Sequence, residues 1–142
     1  MQKNMYEIFD EFSKATDKES RKKVLRQNSS DTLKKVLRAA FHPNIKFYIK
    51  QVPQNYKPSI MKPGMADYKM INVINKIYLF ELGNPKTPAN MSDTKRDKLL
   101  IPFLEGMEAR EANVLIGMMF KTLDVRFLTY SLVKEVFPDI IP

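Results

Sequence analysis

Residues 99–142, LLIPFLEGMEAREANVLIGMMFKTLDVRFLTYSLVKEVFPDIIP, constrain the fold more than any other stretch of the chain. Apolar residues are densest here and recur at helical spacing. Ser92 or Asp93 is placed to cap a helix running to about 107, with Pro102 inside it. The spacing predicts a second helix over 108–123. Ala112, Val114, Leu115, Ile116, Met118 and Met119 make it apolar on several faces, so it is expected deep in the domain. Residues 124–127 read as a turn. Thr129 caps a final helix, and Pro138 ends it.

Upstream, the pattern stays helical but turns polar and basic. Met5, Ile8, Phe9 and Phe12 share one face of a helix over 5–15. Thr16 and Glu19 have capping-box spacing and open a second helix to about 27. Ser30 or Asp31 caps a third helix with the buried stripe Leu33, Val36, Leu37 and Ala40. Pro43 stops it after His42. Residues 44–53 alternate at Ile45, Phe47 and Ile49 like a strand. With no second strand in sight, a short helix is favoured. Residues 54–66 form a loop with Pro58, Pro63 and Gly64, and a loop of that length in a small domain is usually functional or mobile. A strong amphipathic helix is expected over 67–82, with Met70, Val73, Ile74, Ile77 and Tyr78 as its stripe and Gly83 just past its end. The expected architecture is one all-α domain, 1–142, of about seven helices: basic helices in 17–50, a loop at 54–66 and a helical core in 67–142.

Several chemistries have no residues to carry them. The chain has no cysteine, so disulfides and thiolate metal sites are excluded. The single His42 cannot build a histidine metal site or a catalytic triad, and it reads as a helix-end residue. Four glycines leave no phosphate-cradling loop. Glu105, Glu108 and Glu111 have helical spacing but no second histidine beside them, and they are read as solvated. The nine methionines read as core and loop filler. Tyr56–Lys57 and Tyr68–Lys69 have the residue types for stacking on bases, although surface tyrosines are commonly just amphipathic. No apolar run approaches the ~18 residues that span a bilayer, and the charged N-terminal stretch does not resemble a signal peptide. No catalytic residue, metal or cofactor is expected.

Charge is the strongest functional signal. The net charge is +8, and ten basic against three acidic residues between 17 and 50 give a local +7. Such a field favours an acidic partner, nucleic acid first and an anionic membrane surface second. On the third helix Lys34, Lys35 and Arg38 lie off the apolar stripe. On the second, Arg21, Lys22, Lys23 and Arg26 surround Val24 and Leu25. These faces suit phosphate contact as well as simple solvation.

Two segments carry a resemblance. The tail from Gly117 through Lys121, Thr122, Leu123 and Asp124 to the Phe137-Pro138-Asp139-Ile140-Ile141-Pro142 exit resembles the end of the N-terminal DNA-binding domain of ATP-dependent DNA ligases of T-even-type bacteriophages. The segment from Phe41-His42-Pro43 to Val52-Pro53 is similar to a second stretch of that family, and the early basic helices match in pattern. The whole chain also resembles short proteins of marine cyanophages, which begin similarly to Tyr6–Phe12. The resemblance implies an all-helical DNA-binding fold, a phage setting in the cytoplasm of an infected bacterium, and contact with duplex DNA around a nick through backbone and minor groove. It further implies phosphate contacts at Lys34, Lys35, Arg38, Lys46 and Lys50, with Lys121 and Arg126 as a second contact. Arg21 and Lys22 join them as basic candidates from the second helix. The chain departs from the ligases in having no Asp-Gly pair for the adenylated-lysine motif, Arg126–Phe127 where the family turn has glycine, Phe137 for tryptophan and Asp139 for glycine.

The leading expectation is therefore a non-catalytic DNA-binding protein with little sequence specificity. The alternatives are a module that binds a host or phage replication or transcription protein, through the 54–66 loop, and a virion structural component. No membrane partner is expected, and the oligomeric state is open.

Overall fold

A computed structural model describes residues 3–142 apart from 50, 54, 55, 62–64 and 89. The elements follow from the patterning above. Helix α1 is Met5–Lys14, α2 is Lys18–Gln27, α3 is Asp31–Phe41 and α4 is Met70–Val73, which runs on into a 3-10 helix, Ile74–Phe80. Then come α5, Asp93–Gly106, α6, Ala109–Met119, and α7, Tyr130–Val136. Among the described residues β pairing is limited to isolated bridges, and the fold is all-α.

Helix α6 is the hub. Residues on several of its faces are buried, including Ala112, Val114, Leu115, Met118 and Met119, and α1, α3 and α5 all pack against it. Helix α2 packs on α1 and on α7. Phe12, Leu25, Leu33, Leu37, Phe80, Leu100, Leu104 and Val133 complete one continuous core. Ser30, Ser92 and Thr129 cap α3, α5 and α7, each accepting the backbone N–H three residues on. After α7, Lys134 donates to the carbonyls of Pro138 (2.8 Å) and Ile141 (2.9 Å), tying down the chain's exit.

Five expectations need correcting. The cap of α2 is Asp17, not Thr16. Its carboxylate accepts from the Ser20 amide at 2.7 Å, and Asp serves as well as Thr in that position. Residues 44–49 are extended rather than helical. Their partner is the end of the 3-10 helix, where Tyr48 N–H donates to the Phe80 carbonyl and Leu82 N–H to the Lys46 carbonyl, both at 2.7 Å, around a single Phe47–Glu81 bridge.

The long helix expected over 67–82 is one α turn followed by a 3-10 segment. Its Ile, Val and aromatic residues are weak helix formers. The Asn72 side chain accepts the Lys69 amide at 3.1 Å, and the Thr87 hydroxyl donates to the Glu81 carbonyl at 2.9 Å. Helix α6 stops at Met119, short of residue 123. There the chain folds back so tightly that a Cβ on Gly117 would lie 3.0 Å from Leu123 Cα.

The fifth correction concerns the glutamates. Glu111 is buried, not solvated. Its carboxylate accepts the backbone N–H groups of Met5 (2.9 Å) and Tyr6 (3.0 Å), two of the donors that the first turn of α1 cannot satisfy internally. Glu108 accepts from Tyr6 Oη–H and from Asn4 Nδ2 (3.3 Å) beside it. Burial pushes the Glu111 carboxyl up to about 7. The two amides pull it down, and Glu108 and Glu7 push it up again.

Between the ordinary carboxylate value and about 7, the folded chain keeps a proton that the unfolded chain has lost. Stability from this group therefore falls as pH rises through that window. Glu111→Gln removes the titratable group but keeps one acceptor oxygen for two backbone N–H groups. Its stability, whatever its absolute level, should stay flat between pH 5 and pH 8, where the wild type loses on the order of 2–3 kcal/mol, read from urea unfolding at both pH values.

Candidate nucleic-acid interface

Helix α3 buries Leu33, Val36, Leu37 and Ala40 against the core, so its remaining faces carry Lys34, Lys35 and Arg38 outward. Lys35 Nζ donates to Asn75 Oδ1 at 2.9 Å. Arg38 is exposed and has no ion pair among the described residues. With Lys35 it edges a cavity of about 190 Å³ floored by Ile45, Phe47, Ile74 and Ile77, with Glu81 at its side. Lys34 Nζ lies 5.6 Å from the Phe137 ring at the end of α7. Past the end of α3, exposed Lys46 joins His42 and Lys121 around a second cavity of about 320 Å³. Lys50 lies outside the described residues.

Lys121 was expected to meet phosphate. Its ammonium instead donates to the carbonyls of Ala39 and His42 (3.1 Å) at the C-terminus of α3. Those carbonyls have no helical donor of their own, and the helix dipole is negative at that end. Desolvation pulls the Lys121 amine down to about 8, with Glu81 acting against it, so at neutral pH the group is still mostly charged.

The basic face of α2 divides into two kinds of residue. Lys18 Nζ reaches Glu135 of α7 at 3.1 Å, while Lys22 contacts Glu19 and Glu135, each at 3.4 Å. The Lys22 side chain is only 13% exposed, so it works as a strut between α2 and α7. Lys18 above all, then Lys22, holds the Glu135 carboxyl below its ordinary value. Lys23 and Arg26 remain exposed. Arg21 turns toward the 124–127 turn, where its guanidinium carbon stacks 3.6 Å above the centre of the Phe127 ring. Arg126, also exposed, lies 4.8 Å from the same ring.

Phe127 is the residue that sequence reasoning passed over. It occupies the left-handed region at φ +72°, and Lys121 does the same at +57°. For a bulky side chain that conformation costs about 1–2 kcal/mol. The ring is nonetheless 42% exposed rather than packed into the core. The one sequence signal of such a conformation is the glycine that the resembling ligase turn has where this chain has Arg126–Phe127.

The cations thus gather in two places. Lys35, Arg38, Lys46 and Lys121 surround the end of α3, while Arg21 and Arg126 meet on Phe127. The turn 121–127 joins them, and Leu123 lines both the cavity beside His42 and a larger one of about 360 Å³. The larger cavity holds Arg126 and the Arg110–Asp10 ion pair (2.7 Å), with Arg110 over the Tyr6 ring. Groups of this type bind anions and planar rings. Among the described residues no cluster of three His, Asp or Glu side chains is arranged to hold a metal, and no helix is long and apolar enough to cross a membrane.

A family profile matches residues 8–125, that of a family of unknown function, DUF6433. No curated protein matches the chain.

Lys121→Met should lower stability by about 1–2 kcal/mol, because two helix-end carbonyls lose a charged donor. Arg38→Met, which removes no ion pair among the described residues, should stay within about 0.5 kcal/mol of wild type. Urea midpoints of the two variants make the comparison.

Proposed function

The chain belongs to DUF6433, a family of unknown function, and we propose that it is a non-catalytic protein that binds the phosphate backbone of duplex DNA with little sequence specificity. The observation that carries this reading is the state of Arg38 and Lys46. They are exposed, without an ion pair among the described residues, and set at one end of α3 in the region that holds +7 of the net +8. Cations that form no internal contact keep their full attraction for an external anion, and each phosphate they neutralise releases condensed counterions. Lys35, Arg21 and Arg126 extend the basic surface, while Lys18 and Lys22 contribute less because Glu135 holds them. The likeness of the tail and of residues 41–53 to the DNA-binding domain of T-even-type phage ligases agrees with this reading. It adds the proposal of a phage protein acting in the cytoplasm of the infected bacterium.

A second reading has its own observation. Ile60 is 98% exposed, and Met61, Met65 and Ile71 are also exposed, on the loop and helix start that lean on α5. There Lys57 N–H donates to Glu105 (2.8 Å) and Tyr68 N–H to the Gly106 carbonyl (2.8 Å). Such an apolar surface fits a protein partner better than DNA.

Fluorescence anisotropy with a short intact duplex across a salt series tests the first reading. Binding should weaken steeply with salt. Arg38→Gln combined with Lys46→Gln should weaken it about tenfold and flatten the log–log slope by about 2, independently of DNA sequence. An unchanged slope, or no binding at low ionic strength, sinks the proposal.

A further inference from the structure

We propose that Phe127, with Arg21 and Arg126 beside it, is a stacking platform for an unpaired base. The chain would then prefer DNA interrupted by a gap, flap or end over continuous duplex. This rests on the DNA reading above and names the form of DNA that the site takes.

Three observations converge on the one ring. Phe127 is 42% exposed although the core lies close by. Its backbone is held in the left-handed region, where glycine or asparagine would sit without strain. Two guanidiniums, from elements more than a hundred residues apart in sequence, lie at 3.6 Å and 4.8 Å from its centre. An exposed, strained phenylalanine is unfavourable on both counts for stability alone, and strain of this kind concentrates at functional sites.

The neighbours decide what the ring receives. A purely apolar partner would strip water from two guanidiniums and offer them nothing in return. An unpaired nucleotide satisfies both parts at once. Its base presents a π-face to the ring or to the guanidinium planes, and its two flanking phosphates lie within reach of arginine side chains. Neither arginine is in an ion pair among the described residues, and the Arg21 Nε–H has no hydrogen-bond partner there. Stacking of this kind tolerates any base, because all four have a π-face. In continuous duplex the same contact would first require a base step to be unstacked, so a site with a base already free is favoured.

The test compares an intact duplex with the same duplex carrying a one-nucleotide gap, by anisotropy on the full chain at low salt. The wild type should bind the gapped form about tenfold more tightly. Phe127→Asn keeps a residue that tolerates the left-handed backbone and removes the ring. It should abolish the preference, bringing the two affinities within about twofold of each other. Phe127→Trp, a larger platform, should keep the preference, and circular dichroism checks that both variants remain folded. Equal wild-type binding to the two probes overturns this inference and leaves the DNA reading standing. So does a preference that survives in Phe127→Asn, or a loss by Phe127→Asn that is the same on both probes. No binding to either probe overturns both.

Discussion

The fold depends on α6 and on what it supplies to its neighbours' ends. Packing on several faces buries it beneath α1, α3 and α5. A helix so placed also meets helix termini, where backbone groups lack partners. Glu111 on α6 answers the free N–H groups at the start of α1, and Lys121, in the turn that follows α6, donates to the carbonyls of Ala39 and His42 at the end of α3. Each charge has the sign that the local helix dipole favours. The arrangement also sets a condition on pH, because the same burial that fixes Glu111 raises its affinity for a proton.

The packing sorts the basic residues into two groups. Those on α2 that face α7 close an ion-pair cluster on Glu135, and Lys121 is drawn onto α3. Arg38 and Lys46 remain unpaired among the described residues, and Arg21 and Arg126 are held by an aromatic ring rather than by carboxylates. The cations that a partner can meet are therefore fewer than the 24 Lys and Arg residues of the chain. Lys46 and Lys121 meet at one end of the short turn 121–127, and Arg21 and Arg126 at the other. Exposed pairs such as Lys18–Glu135 contribute little to stability, so their main effect is on which charges remain free.

Much of the helical framework was legible in the chain itself. The stripes Met5–Ile8–Phe9–Phe12 and Leu33–Val36–Leu37–Ala40, the caps Ser30, Ser92 and Thr129, and the stops at Pro43 and Pro138 all act through neighbours within a turn or two. The misreadings share a different cause. Residues 44–49 are extended because Phe80 and Leu82, more than thirty positions away, supply their backbone partners. Glu111 reads as a solvated glutamate until α1 folds over it. The segment after Lys69 carries a helical stripe, yet its β-branched and aromatic residues leave it one α turn and a 3-10 continuation.

The amino-acid sequence by itself determined an all-helical chain, the faces its helices bury and the concentration of positive charge between 17 and 50, since periodicity, capping and charge count are local properties. Tertiary structure alone decided which of those charges remain available, which carboxylate is buried, and that Arg21 and Arg126 meet on a Phe127 ring in a left-handed turn. Ion pairs, desolvation and stacking depend on residues that are distant in the chain and come together only when the helices pack.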